Sequence, residues 1–490
     1  MKNLLLIQVL NSLSKKEFTR FEEFLKSPFY NKKPNAVKFF EAIRESSPSL
    51  TVDQIKKDVI WKHMYPKKKF NAGVFKNLVF DLTGLIEKFI EVIKYEENEL
   101  GKNFILLDAL SERKIHNKFF SKYDKLYKEI SKSKFYQSYY SDIQKLIYKK
   151  INHSSVNTKY QEAISSEILI VSEMYLNEVI VNLSYVFNDI STLELRSNKS
   201  AATNFSKVIF GNEDTRRFIT TVTKTEKKDQ QILKMYYFIF LAFAYPENRE
   251  NYINFKKHLY KYSGLFTQEE KSRLYISLGD ALNIRPSGKN DNKVIEFLEL
   301  YKKRIDENIF TESDGRVNIF SYSNIIKMAG MLSDYKLIKF VKINFFELLQ
   351  EEYKENMNYY TDAYYNFSIG KFDIALQNCL KIKLEHFILK FDIKDLQAML
   401  YYETGDYENF IYLLDTYKHF LKKNSSVSDQ YKNWYGKFIT NVHRLFKIKR
   451  NFDEYELMQF EKDVLDGKTG SKFWFIEKIN QFKKSNQILN

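Results

Sequence analysis

Scarcity of glycine and proline is the feature that most limits the folds open to this chain. Its 490 residues include 14 Gly and 6 Pro, where average usage would supply about 34 and about 25. Folds that depend on many tight turns or glycine-rich loops are therefore disfavoured, which weighs against β-sandwiches, β-propellers and most nucleotide-binding α/β enzymes. The 42 Phe and 35 Tyr supply packing volume instead. The composition predicts a large all-α protein.

The first 100 residues are predicted to form a compact helical N-terminal domain. Four of the six prolines lie within the first 66 residues, which indicates short helices separated by defined turns. Residues 14–17 (Ser-Lys-Lys-Glu) and 51–54 (Thr-Val-Asp-Gln) both fit a capping box, in which side chains satisfy free amides at a helix start. Apolar residues over 74–95 recur at helical spacing, so we predict one long helix there.

Two further regions follow. Residues 101–285 are predicted to form long helices, because neither Gly nor Pro occurs over 102–210. A cluster of Asn, Ser, Gly and Pro at 284–291 is typical of a loop or a boundary. Residues 286–490 are predicted to form degenerate helical repeats.

The chain is basic, with a formal net charge of +16. Acidic partners are therefore plausible. The positive excess is spread thinly along the chain, whereas dedicated nucleic-acid binders usually concentrate their basic residues. Two interpretations stay open: a general compositional preference for Lys, Asn, Ile, Tyr and Phe, or electrostatics selected for an acidic partner.

Cysteine use and the lengths of apolar runs predict a cytoplasmic protein. The one cysteine, Cys379, excludes an intramolecular disulfide framework. It lies in an apolar helical stretch, where we expect a small buried hydrophobe rather than a nucleophile. The apolar run at 1–7 ends without the small-residue cleavage site of a signal peptide. No stretch approaches the roughly 20 apolar residues that span a bilayer, so no membrane association is expected.

Two segments in the last third of the chain align at a spacing of 35 residues. They are residues 370–375 (Gly-Lys-Phe-Asp-Ile-Ala) and 405–410 (Gly-Asp-Tyr-Glu-Asn-Phe), and an alanine, Ala363 or Ala398, stands seven positions before each glycine. The alanine lets two antiparallel helices approach, the glycine permits the turn, and the aromatic residue two positions later fills the elbow. Over about 355–420 the chain thus resembles the tetratricopeptide-like helical repeat superfamily, with Phe where the second segment would usually carry a small residue.

The resemblance implies a right-handed superhelix whose concave groove binds a peptide or a partner helix. Helical phase from the two alanines places five side chains in that groove: Tyr360, Tyr364, Asp395, Met399 and Tyr402. We predict a helical N-terminal domain followed by an irregular α-solenoid of antiparallel helix pairs, acting as a non-enzymatic scaffold for a protein or peptide partner. Replacing Tyr364 and Tyr402 by alanine is expected to abolish partner capture without unfolding the protein.

Four lysines suggest an alternative function. Lys114, Lys118, Lys122 and Lys125 recur at i, i+4, i+8 and i+11, which predicts one basic face of a single helix. Aromatic residues interleave with them at Phe119, Phe120, Tyr123 and Tyr127. Three interpretations stay open. The lysines are a solvated face with the aromatics in the core, or they pack against the acidic segment 161–195, or they bind nucleic acid through phosphates and stacked bases.

Catalytic and cofactor motifs are missing from the sequence. None of the seven histidines forms H-E-x-x-H, and neither G-x-S-x-G nor G-x-G-x-x-G occurs. Residues 467–469 (Gly-Lys-Thr) match the end of a P-loop, but Lys462 stands where that motif needs its first glycine. The i, i+4 pair Asp415 and His419 is more typical of a helix surface than of a metal site. The sequence therefore predicts no enzyme activity, no cofactor, no metal and no small-molecule substrate.

Overall fold

The computed structural model describes residues 5–46, 57–154, 161–196, 205–286, 292–383, 386–423, 428–466 and 471–485. Within these ranges the chain forms twenty-four α-helices and two 3-10 helices, without a β-strand, so the predicted all-α fold is confirmed. The 3-10 helices are Ser263–Leu265 and Phe346–Leu348.

The first twelve helices are α1 (Leu5–Ser12), α2 (Lys15–Lys26), α3 (Pro34–Ser46), α4 (Lys57–Met64), α5 (Ala72–Glu97), α6 (Glu99–Glu112), α7 (His116–Lys132), α8 (Tyr139–Ser154), α9 (Gln161–Arg196), α10 (Phe205–Gly211), α11 (Glu213–Val222) and α12 (Lys228–Ala244). The other twelve are α13 (Arg249–Tyr262), α14 (Gln268–Ile284), α15 (Lys293–Asp306), α16 (Ile319–Met331), α17 (Tyr335–Phe345), α18 (Glu351–Ser368), α19 (Phe372–Lys381), α20 (Phe387–Thr404), α21 (Tyr407–Lys423), α22 (Asp429–Arg450), α23 (Glu454–Leu465) and α24 (Lys472–Ser485).

The first of two compact units comprises residues 1–129 and 148–158. Helix α2 begins with the predicted capping box: Ser14 N donates to Glu17 Oε2 at 2.7 Å, and Glu17 N donates to Ser14 Oγ at 3.2 Å. Helix α5 contains the predicted 74–95 stretch and buries one apolar face, formed by Phe75, Leu78, Leu82, Ile86, Phe89 and Ile93. The second predicted capping box, at 51–54, lies outside the described residues.

The second compact unit comprises residues 130–147 and 159–490. From α16 to α22, helices that follow one another in the chain also pack on one another: α18 contacts α16, α17 and α19, and α20 contacts α19, α21 and α22. Side chains from these helices form one continuous hydrophobic core, which includes Ala363 and Ala398 as fully buried residues. The two alanines therefore lie at positions of close helix packing, as predicted.

Three helix pairs of the second unit are joined by the same kind of turn. One or two positions after α16, α18 and α20 stands a residue with a positive φ: Ser333 (56°), Gly370 (75°) and Gly405 (79°). In each turn the next amide donates to the carbonyl five positions earlier: Asp334 to Ala329 at 2.8 Å, Lys371 to Asn366 at 2.9 Å and Asp406 to Tyr401 at 2.9 Å. This is the hydrogen bond of a Schellman motif. The motif favours glycine at the position with positive φ, because a Cβ is strained there.

Replacing Gly405 by alanine is expected to lower the free energy of unfolding by about 1–2 kcal/mol, because left-handed backbone disfavours a Cβ. Gly436→Ala is the matched control. Gly436 lies inside α22, where alanine is favoured over glycine by about 1 kcal/mol, and the added Cβ would come no closer than 3.8 Å to Leu421. Urea unfolding followed by circular dichroism measures both variants. Changes of the same sign would contradict this account of the turn.

Candidate functional site

A cavity of about 840 Å³ lies within the second unit. Its walls come from six helices that are far apart in the chain, namely α14, α15, α16, α20, α22 and α24. The volume falls in the range of protein sites that enclose a ligand. The lining combines apolar and aromatic side chains with several charged ones, so the cavity is a candidate functional site.

A buried charged cluster forms one part of the wall. Lys327 on α16 donates from Nζ to Asp392 Oδ1 on α20. One turn further along α20, Asp395 accepts a hydrogen bond from Tyr417 Oη at 2.6 Å. Burial raises the pKa of Asp395 to about 8, although Lys327 and the Tyr417 hydrogen bond oppose the shift. Asp395 is therefore largely protonated at neutral pH, and the charge of Lys327 is met by Asp392.

A second buried cation lies elsewhere on the wall. Arg304, near the end of α15, is 6% exposed. Its guanidinium carbon lies 5.6 Å from the ring centroid of Tyr301 and 5.7 Å from that of Phe310. Its Nη1 donates to Ser321 Oγ at 3.3 Å, whereas its buried Nε has no hydrogen-bond partner among the described residues. Burial lowers the pKa of this guanidinium.

Two tryptophans give the cavity an aromatic side. Trp434 on α22 is 38% exposed, so its ring is available to a ligand. Trp474 on α24 is buried and donates from Nε1 to Glu403 Oε1 at 2.7 Å. Next to Trp434, the ring of Tyr435 stacks on Phe391 with centroids 4.1 Å apart. Packing thus fixes the surroundings of the one accessible indole on this wall.

Of the five residues predicted to line a groove, one lines the cavity and four are buried in the hydrophobic core. Asp395 lines the cavity. Tyr360, Tyr364, Met399 and Tyr402 instead belong to the hydrophobic core. The groove assignment is corrected for these four, because neighbouring helices cover the faces that they occupy. An added Cβ on Gly330 of α16, for example, would lie 2.7 Å from the ring of Tyr364, and the ring of Tyr402 packs 5.0 Å from that of Phe446.

Four residues of the cavity wall were not predicted from the sequence: Arg304, Lys327, Asp392 and Trp434. They lie on four different helices, and the local pattern around each does not reveal which distant helix it faces. The single local signal is the i, i+3 spacing of Asp392 and Asp395, which puts two carboxyl groups on one face of an apolar helix. Two acidic residues on such a face call for a partner, which Lys327 supplies.

The four lysines do not lie on one helix. Helix α7 begins at His116, and Lys114 precedes it in a turn with a φ of 55°. This corrects the predicted four-residue face to three residues. Lys118 and Lys125 are exposed and Lys122 is half-buried. Lys125 Nζ also lies 3.8 Å from Glu129 Oε1 on the same helix.

The aromatic residues between these lysines belong partly to the interior. Phe119 and Tyr123 are buried. The ring of Phe119 stacks on His153 with centroids 3.8 Å apart, and Tyr123 stacks on Tyr127 at 5.9 Å. Stacking on bases needs accessible ring faces. The arrangement agrees with the first interpretation, in which the lysines are the solvated side of a packed helix.

Three further sequence candidates are Cys379, the pair Asp415 and His419, and residues 467–469. Cys379 is fully buried, and burial raises the pKa of its thiol, as expected for a small hydrophobe. Asp415 and His419 are both exposed, and the described part of the chain holds no group of three or more His, Cys, Asp or Glu residues placed to bind a metal ion. Residues 467–469 lie outside the described ranges. Among the helices that are described, none has the length and apolar character that a membrane span requires.

Comparison of the chain with protein-family models, with curated proteins and with solved structures gave no match. The cavity and its side chains are therefore the basis on which a function is proposed.

Proposed function

We propose that the protein is a non-enzymatic helical-repeat scaffold that binds a segment of a partner protein in the cavity of its second unit. The observation that carries the proposal is the cavity itself, about 840 Å³ in volume and walled by six helices. Stacked helix pairs commonly use such concave surfaces to hold a peptide.

The chemistry of the lining favours a peptide as the ligand. The wall contains apolar residues such as Ile276 and Met328 as well as charged residues such as Lys327 and Arg304. A peptide presents the same mixture, with apolar side chains between polar backbone and charged groups. Trp434 is the residue best placed to contact the segment, because it is aromatic and accessible, and buried aromatic anchors dominate the energetics of many interfaces.

Trp434→Ala is expected to weaken capture of the partner by about 30-fold, which corresponds to about 2 kcal/mol for the loss of an aromatic anchor. The tagged full-length protein is incubated with lysate, treated with nuclease and washed at high salt, and the retained protein is identified and titrated by calorimetry. Tyr412→Ala is the control, because Tyr412 is 74% exposed on α21 and is not part of the cavity lining.

Equal affinities of the two variants and the wild type would overturn the cavity as the binding site. Recovery of nucleic acid alone, lost after nuclease treatment, would instead indicate a nucleic-acid-binding protein that uses Lys118, Lys122 and Lys125.

A further inference from the structure

Arg304 is a buried cation that the protein leaves incompletely paired. Among the described residues its side chain makes one hydrogen bond, from Nη1 to Ser321 Oγ, and the Nε–H has no acceptor. Removing a guanidinium from water without an ionic partner is costly, and buried charges are normally paired. An unsatisfied cation in the wall of a cavity therefore points to an anion that arrives with the ligand.

The surroundings of Arg304 determine which edge of the guanidinium meets that anion. The rings of Tyr301 and Phe310 both lie within 6 Å of its central carbon, at 5.6 and 5.7 Å, and such cation–π contacts compensate part of the lost hydration. Nη1 is engaged with Ser321. The edge formed by Nε and Nη2 has no partner among the described residues, and two parallel N–H groups on one edge match the two oxygens of a carboxylate.

The charges elsewhere on the wall favour an anion with a single charge. Lys327 is already paired with Asp392. Glu312 and Asp280 also line the cavity. Glu312 acts electrostatically on Arg304 without forming a salt bridge with it, so a phosphate dianion would add repulsion that one guanidinium does not offset. A carboxylate needs one cation and adds one charge.

We infer that the cavity recognises a carboxylate of the bound segment, held by the guanidinium of Arg304. The inference rests on the proposed function, since it names the chemical group through which that segment is recognised. The carboxylate belongs either to the C-terminus of the segment or to an acidic side chain, and both sources present the same two oxygens.

Arg304 also lies in the last turn of α15, where a positive charge stabilises the helix C-terminus. That structural role requires only a charge, whereas recognition of a carboxylate by one edge requires the planar guanidinium. Arg304→Lys separates the two roles, because it keeps the charge and loses the planar pair of donors.

The test uses three probes on the full-length protein: N-acetyl-dialanine with a free carboxylate, its C-terminal amide, and N-acetylglutamate α-amide. The fluorescence of Trp434 and Trp474, which line the cavity, reports binding, and Trp434→Phe confirms the source of the signal. We expect saturable binding of at least one carboxylate probe in the millimolar range. The neutral amide and Arg304→Lys are each expected to reduce affinity by about 10- to 100-fold, as for loss of a charged hydrogen-bonded pair.

Saturation by N-acetyl-dialanine alone identifies a C-terminal carboxylate, and saturation by N-acetylglutamate α-amide alone identifies an acidic side chain. The inference is overturned if neither probe saturates, if the amide binds as tightly as the acid, if Arg304→Lys leaves probe binding unchanged, or if inorganic phosphate binds more tightly than both acids. Capture of the partner separates this failure from that of the proposed function. Loss of capture in Trp434→Ala with full capture in Arg304→Lys rejects the carboxylate but retains the cavity.

Discussion

Replacing Tyr364 by alanine is expected to lower the free energy of unfolding by about 3–5 kcal/mol, the usual cost of removing a buried aromatic ring. Tyr364 is 0% exposed. Its ring lies 4.9 Å from that of Tyr360 on the same helix and meets the backbone of Gly330 on α16. The loss should appear as a lower urea midpoint and a lower melting temperature.

Tyr364→Phe is the control for this substitution. It keeps the ring and removes only the buried hydroxyl oxygen. Removing that hydroxyl should change stability by no more than about 1 kcal/mol, the usual net worth of one hydrogen bond. A Tyr364→Ala protein as stable as the wild type would show that this side of α18 is open, and would restore Tyr364 to the predicted groove.

This expected result differs from the one that the sequence suggested, in which Tyr364→Ala abolishes capture of a partner without unfolding the protein. The reason is that helical phase does not show whether a neighbouring helix covers a given face. Phase relative to Ala363 indicates which face of α18 points inward, but an inner face can line a groove or be covered by a neighbouring helix. The small residue that decides the matter, Gly330, lies 34 positions away in the chain and belongs to α16.

Features with local causes were predictable. The capping box at Ser14 and Glu17, the buried face of α5 and the turns at Gly370 and Gly405 each depend on residues within one or two helical turns of one another. The start of α7 was predicted less well. Lys114 fits the periodicity of the helix, but it adopts a positive φ two residues before the helix begins, and periodicity alone does not locate a boundary.

The cavity was not predictable because its chemistry is distributed over distant segments. Arg304, Lys327, Asp395 and Trp434 come from four helices, and each has an ordinary helical sequence around it. A buried Arg and a solvated Arg look alike in a sequence of this composition. Only the packing of α15 against its neighbours shows that the guanidinium of Arg304 is removed from water.

Asp395→Asn is expected to make the stability of the protein less dependent on pH between about 4 and 8. Burial raises the pKa of Asp395 to about 8 in the folded protein, whereas an unfolded aspartate titrates near 3.9. Between these values the folded state holds a proton that the unfolded state lacks. The contribution of this group to stability is therefore fully present below about pH 4, falls as the pH rises and is lost above about pH 8.

The slope of that fall approaches about 1.4 kcal/mol for each pH unit. Asparagine has nearly the shape of the protonated carboxyl group, and its amide oxygen accepts the hydrogen bond of Tyr417 without taking up charge. The variant should therefore lose the slope and become more stable than the wild type above about pH 8. The groups that face Asp395 do not mask the effect. Burial opposes the charge of Lys327, but Asp392 outweighs burial and raises the pKa of this lysine, so it stays charged. Burial raises the pKa values of Tyr417 and Tyr435, so both stay neutral over this pH range.

Urea unfolding at several pH values from 6 to 9 measures this difference, with Asp415→Asn as the control. Asp415 is an exposed aspartate on α21, so its replacement should leave the pH dependence of the wild type unchanged. Parallel stability curves for Asp395→Asn and the wild type would mean that Asp395 is ionised in the folded protein at neutral pH. The wall of the cavity would then carry a second negative charge beside Asp392, and a ligand bearing a cation, rather than a carboxylate, would fit that part of it.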